Sequence, residues 1–452
     1  MGKVTRRQFI KGVVVGGVTM AGAMSVPGSL RKAYAQKPKL TVAIWNHWVP
    51  GATDVHTKII SDWAKENKVD VRIDLIGPSG AAIRTIASAE YRGETGHDIM
   101  ALSTFVSIAF KKKLEPLNDV ADYLEKKYGK FDDLATYLNY QDGVWFSIPN
   151  PMGSFSKPPV SRIDLFKKHA GIDVVDIFPP DDSKRDTKKV DAFTWDAFLE
   201  ASKKLYKAGF PVGSAISECN DANEWLCPLF LSYGSTAMDK DGRVTIESNE
   251  TLQALEYIKE LAQYMPKEIF GWDDASNNRY IIAGKGSCVF NPPTAWVVAK
   301  RDNPDVAAQL WHHDMPRGPK GRYRGAAYYS IGIWNWCKEK KAAKDLITYL
   351  MEKPQQWKIF SAAQGNDVPQ LKPMYAHPVW QEEGPPKGTL YNYITRGDEK
   401  LIVGGYPARP EIGTQIYSKY LIPVMTGKVV TGEATPKAAM KWCAKELEML
   451  RS

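Results

Sequence analysis

The stretch Leu40–Ile76 opens as LTVAIW (Leu40–Trp45), continues through DVHTKIISDWAKENK (Asp54–Lys68) and ends in VDVRIDLI (Val69–Ile76). The first piece is a short apolar run bounded by polar residues, which predicts a buried strand. In the second, Val55, Ile59, Ile60, Trp63 and Ala64 fall on one face of a helix. The third is another strand. Strand, helix and strand in 37 residues make a βαβ unit, so the sheet starts out parallel. A Gly-Pro-Ser-Gly turn (Gly77 to Gly80), a helix from Ala81 to Gly93 and a third strand within His97 to Ser103 extend the pattern. This predicts a doubly wound α/β architecture, in which ligands sit beyond the carboxyl ends of the strands. The positions to watch are therefore Trp45, Asn46, His47 and Trp48, then Ser79, then Ser103 with Thr104.

After VWFSIP (Val144 to Pro149), Asn150-Pro151-Met152-Gly153 and the Pro158-Pro159 pair predict a crossing into a second domain. A helix from Ile163 to Ala170 follows, and the charged run PPDDSKRDTKKVD (Pro179 to Asp191) reads as a solvated loop. Thr194 is placed to cap the helix beginning FTWDAFLEASKKL, Ser248 begins another, and MDKDGRVTI reads as a hairpin around its Asp-Gly turn. Gly325 to Trp334 is apolar and aromatic, and KAAKDLITYLMEKPQQWKIFSAAQG reads as two packed helices that return the chain to the first domain. The predicted division is 36–150 plus 326–372 for an N-terminal lobe and 151–325 plus 373–452 for a C-terminal lobe.

The chain begins differently. TRRQFIK (Thr5 to Lys11) precedes an apolar stretch that is too short and too glycine-rich for a membrane span, which needs about 20 apolar residues. A basic start, an apolar middle and small residues at Ala33 and Ala35 form the layout of a cleavable export signal over residues 1–35. The arginine pair followed by Phe9 and Lys11 resembles the twin-arginine signal, which implies a periplasmic protein. The formal charge of +9 includes six basic residues of that segment; without them 54 Lys and Arg face 51 Asp and Glu, a balance of +3. So small an excess argues against nucleic acid or an anionic membrane as partner. The 417 residues left after cleavage suggest two domains. Five cysteines are no disulfide framework, although Cys219 and Cys227 are close enough in sequence to bridge in an oxidising compartment.

Chemistry-bearing motifs are scarce. The chain has no Cys-x-x-Cys, no Gly-x-Gly-x-x-Gly after a strand and no Walker loop, and Gly77-Pro78-Ser79-Gly80-Ala81 is an incomplete nucleophile elbow. His312 and His313 point to opposite faces of a strand and read as a polar edge; Asp239 and Asp241 read as a turn rather than a calcium loop. No metal and no cofactor is predicted. Aromatic residues, by contrast, are plentiful: 14 Trp, 21 Tyr and 15 Phe, many beside turns. Flat aromatic faces suit the C–H faces of a sugar ring, while short polar groups meet its hydroxyls. Trp45 to Trp48 supply both, as do Asn223-Glu224-Trp225 and Asn291 to Trp296. Glu224, Trp225 and Trp296 are therefore candidates, together with Tyr328 and Tyr329, of which alternation allows one to reach a shared cleft.

Taken in order, LTVAIW, GHDIMALS with KKKLEPLNDV, DGVWFSIP, RIDLFKKHAGI, FTWDAFLEASKKL, DGRVTIESNETLQALEYIKEL, AGKGSCVFNPPTAW, AKDLITYLMEKPQQW and MTGKVVTGEATPKAAMKW resemble the extracellular solute-binding proteins of ABC importers, the maltose-binding-like group called family 1. The resemblance implies two α/β lobes joined by crossing strands, closure on a ligand, delivery to a membrane permease, a monomer and no catalytic residues. It places the crossing at Asn150. In AGKGSCVFNPPTAW, Pro293 and Thr294 stand where the family commonly has Trp or Gly, so the stacking role passes to Trp296. A sugar or polyol is the expected ligand. A non-sugar solute such as a polyamine, organic acid or osmolyte is the alternative, for which Arg279, Arg324 and Arg409 would matter, and a secreted enzyme is the third reading.

Overall fold

In the computed structural model, β1 (Lys39–Trp45), α1 (Ala52–Asn67), β2 (Asp70–Ile76), α2 (Gly80–Gly93) and β3 (Ile99–Leu102) follow one another within a residue or two of the expected places. The structure describes residues 37–451 apart from 50, 79, 382, 385–388 and 391. The export signal read at 1–35 and the candidate Ser79 lie outside the described residues. β1 pairs in parallel with both β2 and β3, as the βαβ reading requires. α1 buries Ile59, Ile60 and Trp63 against this sheet, each contributing about 1.5–3 kcal/mol of apolar burial.

Two strands then carry the chain between cores. Ile148–Lys157 runs antiparallel to Tyr323–Ile333, which pairs antiparallel with β3 and parallel with Lys400–Ile402, giving a six-stranded sheet among the described residues. Immediately beyond Pro158, strand Pro159–Arg162 belongs to a second, three-stranded sheet and runs antiparallel to Cys288–Phe290 and Leu310–His312. In each sheet, therefore, a crossing strand opposes its neighbours.

The core divides into two hydrophobic clusters, the first of which also takes in Val160, Val289 and Leu310 of the three-stranded sheet. Val42, Ile44, Met100, Ile331, Leu346 and Phe360 belong to the first cluster. Phe166, Trp195, Phe198, Ile258, Met425 and Cys443 belong to the second. Residues Pro38–Ser452 nevertheless form one compact unit. Caps fall where the sequence puts them: Thr194 Oγ1 accepts from Ala197 N at 3.2 Å and Ser248 Oγ from Thr251 N at 3.1 Å. The charged run Pro179 to Asp191 is more ordered than a loop, because the Asp181 and Asp186 side chains cap the short helices Asp182–Lys184 and Thr187–Ala192.

Candidate functional site

The carboxyl ends of β1 and β3, the start of α2 and the crossing strands meet helix Asn220–Tyr233 and the segment Asp274–Thr294 around a cleft. Two glycines permit the approach. A β-carbon on Gly325 would stand 1.8 Å from the Glu224 carbonyl oxygen, so the strand and the helix touch backbone to backbone. Gly153, at φ +93°, lies under the Tyr329 ring, where a β-carbon would come within 2.6 Å of Cδ2.

Of the four residues at the tip of β1, Trp48 alone lines the cleft, and it is 37% exposed. Trp45 is a correction to the expected site: it is buried, its Nε1 donates to the Pro78 carbonyl at 2.8 Å, and its ring meets the Tyr329 ring edge-on at 5.3 Å. It backs the wall instead of forming it. His47 is buried too; its Nδ1 accepts from Val49 N at 2.7 Å, so Nε2 carries the proton and donates to Asp367 Oδ1 at 3.1 Å. Asn46 accepts from the Thr53 hydroxyl at 3.0 Å and stays outside the cleft lining.

Ser103 and Thr104 do line the cleft, anchored by their hydroxyls to the Gly80 carbonyl at 3.2 Å and the Tyr328 carbonyl at 3.4 Å. Tyr329 faces the cleft while Tyr328 faces away and donates to Asp132 Oδ2 at 3.0 Å. Asn150 is buried, its Oδ1 accepting from Met152 N at 3.1 Å; it shapes the crossing strand and does not reach the cleft. Trp225 is core, stacked on Phe290 at 5.2 Å with Nε1 donating to the Ala215 carbonyl at 2.7 Å. Trp296 also misses the lining, and the Lys300 ammonium lies 4.1 Å from its ring centroid.

Glu224 is in the wall, and its surroundings were not visible in sequence. Lys157, 3% exposed, ends the crossing strand with its ammonium 2.9 Å from Glu224 Oε2 and in contact with Asp221. The Tyr417 hydroxyl donates to Glu224 Oε1 at 2.9 Å, and Asn277 Nδ2 to Asp221 Oδ2 at 2.6 Å. Burial pushes the Glu224 carboxyl above the usual range while Lys157 opposes that shift. Asp274 accepts from Asn220 Nδ2 and from Asp221 N, both at 3.2 Å. Asn366, a lining residue, accepts at Oδ1 from Thr294 N at 3.0 Å, while its buried Nδ2 has no hydrogen-bond partner. Such a buried donor calls for an acceptor. Phe155 adds an aromatic face, and Asn278, Asn291 and Arg84 add polar ones.

The remaining candidates are accounted for elsewhere. All five cysteines are free and buried, so Cys219 and Cys227 do not bridge. His312 and His313 are buried rather than a polar edge: His313 stacks on Phe178 at 4.9 Å, and burial lowers the two rings to about 3 and about 4 respectively. Asp239 closes a turn, accepting from Arg243 N at 2.9 Å. None of the three arginines lines the cleft: Arg324 pairs with buried Glu399 at 2.6 Å, Arg279 with Asp273 at 2.9 Å, and Arg409 precedes helix Pro410–Ser418. Among the described residues no group of three or more His, Cys, Asp or Glu side chains could hold a metal ion.

Two α/β lobes, connected by crossing strands, thus face each other over a polar and aromatic cleft. The chain belongs to the family described as bacterial extracellular solute-binding protein, whose profile matches residues 58–385. It is similar to an arabinooligosaccharide-binding protein of Halalkalibacterium halodurans, 24% identical over 292 residues, covering 60% of this chain and 57% of that one. It is also similar to a probable ABC transporter-binding protein of Deinococcus radiodurans, 23% identical over 177 residues, covering 39% of this chain and 41% of that one. The chain thus spans about half the length of the curated relatives it matches. Among solved structures, maltose-bound MalE3 of T. maritima superposes with a TM-score of 0.71 at 22% identity, covering 91% of this chain and 99% of that one. A sugar transporter from Arthrobacter chlorophenolicus A6 with bound laminaribiose gives 0.70 at 16% identity, covering 92% and 99%. At these identities the structural likenesses establish the fold.

Proposed function

We propose that this protein captures a sugar or polyol between its two lobes and delivers it, chemically unaltered, to the membrane permease of an ABC importer. The observation that carries this is the cleft lining: Asn366 Nδ2 buried without a partner, beside carboxylate, amide and hydroxyl groups, with Trp48, Phe155 and Tyr329 offering ring faces. The arabinooligosaccharide of the bacterial relative and the disaccharides held by the two solved structures are ligands of the same chemical kind. The binding set is Trp48, Ser103, Thr104, Glu224 and Tyr329 from the sequence reading, joined by Lys157, Asn366 and Tyr417.

In this reading the paired crossing strands Ile148–Lys157 and Tyr323–Ile333 form the hinge between lobes drawn as 36–150 plus 326–372 and 151–325 plus 373–452. A ligand that touches both lobes gains contacts only in the closed state and shifts the equilibrium by that difference. The protein works as a monomer in the periplasm, exported through the twin-arginine signal at Thr5–Lys11 and cleaved after Ala35. A thermal-shift screen of sugars and polyols, followed by calorimetry and small-angle scattering on the compounds that raise the melting temperature, tests it. The expected result is a saturable shift with at least one sugar or polyol and a smaller radius of gyration in its presence. No shift with any of them, or conversion of the bound compound during incubation, overturns it.

A further inference from the structure

The pairing of the two crossing strands breaks at the cleft. Ala327 stands opposite Phe155 and Tyr329 opposite Asn150, so Tyr328 alone on one strand faces Pro151 to Ser154 on the other, and the surplus residues form a bulge. A bulge re-aims the side chain beside it. Here that side chain is Tyr329, which lines the cleft with its ring over Gly153. One hydroxyl closes the bulge: Ser154 Oγ accepts from Tyr329 N at 2.9 Å and donates to the Asn150 carbonyl at 2.6 Å.

A single carboxylate ties the bulge to the rest of the first lobe. After helix Lys353–Ala362 come two left-handed residues, Gln364 at φ +51° and Gly365 at φ +74°; Asn366 then joins the cleft lining while Asp367, fully buried, does not. Asp367 Oδ1 accepts from Gly153 N, inside the bulge, and from His47 Nε2, beyond the end of β1, both at 3.1 Å. The next residue repeats the tie, since Val368 N donates to the Ser154 carbonyl at 2.6 Å. A carboxylate taken out of water is stabilised by the donors aimed at it, so Asp367 holds both in place. It thereby joins the strand tip, the bulge and the loop that carries Asn366.

We propose that Asp367 is the positioning residue of the cleft: without touching ligand, it fixes Tyr329 through the Gly153 bulge and Asn366 through their shared loop, so that ring and amide meet the ligand as one unit. The inference rests on the sugar-or-polyol reading for what is bound and adds how the site is held. His47, expected from the sequence to touch ligand, is instead the second donor that keeps the carboxylate in place. Because the bulge lies within the hinge pair, the Tyr329 side of the site is carried by the hinge itself.

The test uses the intact purified protein and three variants: Asp367→Ala, Asp367→Asn and His47→Phe, the last keeping a ring but removing the donor. Amide hydrogen exchange needs no ligand. In Asp367→Ala the Tyr329 amide, which Asp367 does not bond, is expected to exchange at least about tenfold faster while the Val42 amide keeps the parent rate. Asp367→Asn, whose Oδ1 still accepts from both donors, is expected to stay within about threefold of the parent. Should Asp367→Ala fail to fold, His47→Phe is read in its place, with the Tyr329 amide accelerated at least about threefold. Affinities follow by calorimetry with L-arabinose, D-glucose, maltose and ribitol. For each that binds, Tyr329→Phe is expected to weaken the parent about tenfold but the Asp367→Ala or His47→Phe protein less than about twofold, its hydroxyl being already displaced. Trp48→Ala is expected to weaken both backgrounds by the same factor. A Tyr329 amide that keeps the parent rate, or equal losses from Tyr329→Phe in the two backgrounds, overturns the inference and leaves the sugar reading in place. Binding by none of the four counts against the sugar reading, and exchange then decides the positioning by itself: acceleration at Tyr329 upholds it and the parent rate removes it.

Discussion

Gly325 and Glu224 are in backbone contact: a β-carbon on the first would lie 1.8 Å from the carbonyl oxygen of the second. The wall that carries Asp221 and Glu224 therefore rests on a strand that has no side chain at that point. Gly325→Ala is expected to force helix Asn220–Tyr233 outward, lowering stability by about 1–3 kcal/mol and weakening ligand binding as the carboxylates shift. Urea unfolding and calorimetry check the two effects.

Lys157 ties the end of one crossing strand to the helix that begins the opposite wall. Lys157→Met leaves two buried carboxylates facing each other, and the expected loss is about 3–5 kcal/mol. Adding Asp221→Asn and Glu224→Gln removes the uncompensated charge, so the triple variant is expected to recover most of that loss. Recovery of less than half in chemical denaturation would mean that the ion pairs are not what holds this corner.

The tryptophans separate by role. Trp45→Ala and Trp225→Ala empty core positions and are expected to cost about 3–5 kcal/mol of stability. Trp48→Ala, at an exposed position in the lining, is expected to leave unfolding nearly unchanged and to weaken binding by roughly 1–3 kcal/mol. Paired denaturation and calorimetry on the three variants decide it.

Two groups, one buried and one half-buried, give the protein a stability that falls with rising pH. Burial raises Asp132 to about 6, above its unfolded value near 3.8, so the native state holds the proton more tightly and stability is lost between about pH 4 and 6. The loss is about 3 kcal/mol at one pH unit per 1.4 kcal/mol. Asp132→Asn keeps an acceptor for Tyr328 and is expected to flatten that limb. His97, raised by its hydrogen bond to Glu90 and helped by Asp74, contributes stability below pH 6.5 that is lost as pH climbs through its folded value. His97→Gln is expected to flatten the upper limb. Melting temperatures from pH 4 to 8 read both.

The first lobe was legible because its signals are local: β1, α1 and β2 each show one hydrophobic period, and parallel pairing follows from the length of the crossover. A quarter of the cleft lining was legible, in part for a related reason, since Ser103, Thr104 and Trp48 sit at strand ends, where such folds present their ligand-facing groups. Choosing among neighbours was not. Trp45 still belongs to the strand and packs behind Tyr329, whereas Trp48 lies beyond it, and both read as aromatic residues near a tip. The pairing of Tyr323–Ile333 shifts register between Ala327 and Tyr329, so alternation alone could not say which tyrosine faces in. Trp225 sits on a helix face that turns to Phe290. Asn366 and Tyr417 reach the site from distant parts of the chain, and Lys157 is recognisable as a site residue only once Asp221 and Glu224 are opposite it.

The five sulfhydryls have a consequence for the life history of the molecule. Burial pushes Cys227, Cys288, Cys337 and Cys443 up to about 12 and Cys219 to about 11, so at neutral pH thiolate, the form that attacks disulfides, is almost unpopulated. Assembly of the described residues calls on no disulfide-forming oxidant and no disulfide isomerase. The described fold is therefore the same under reducing and under oxidising conditions.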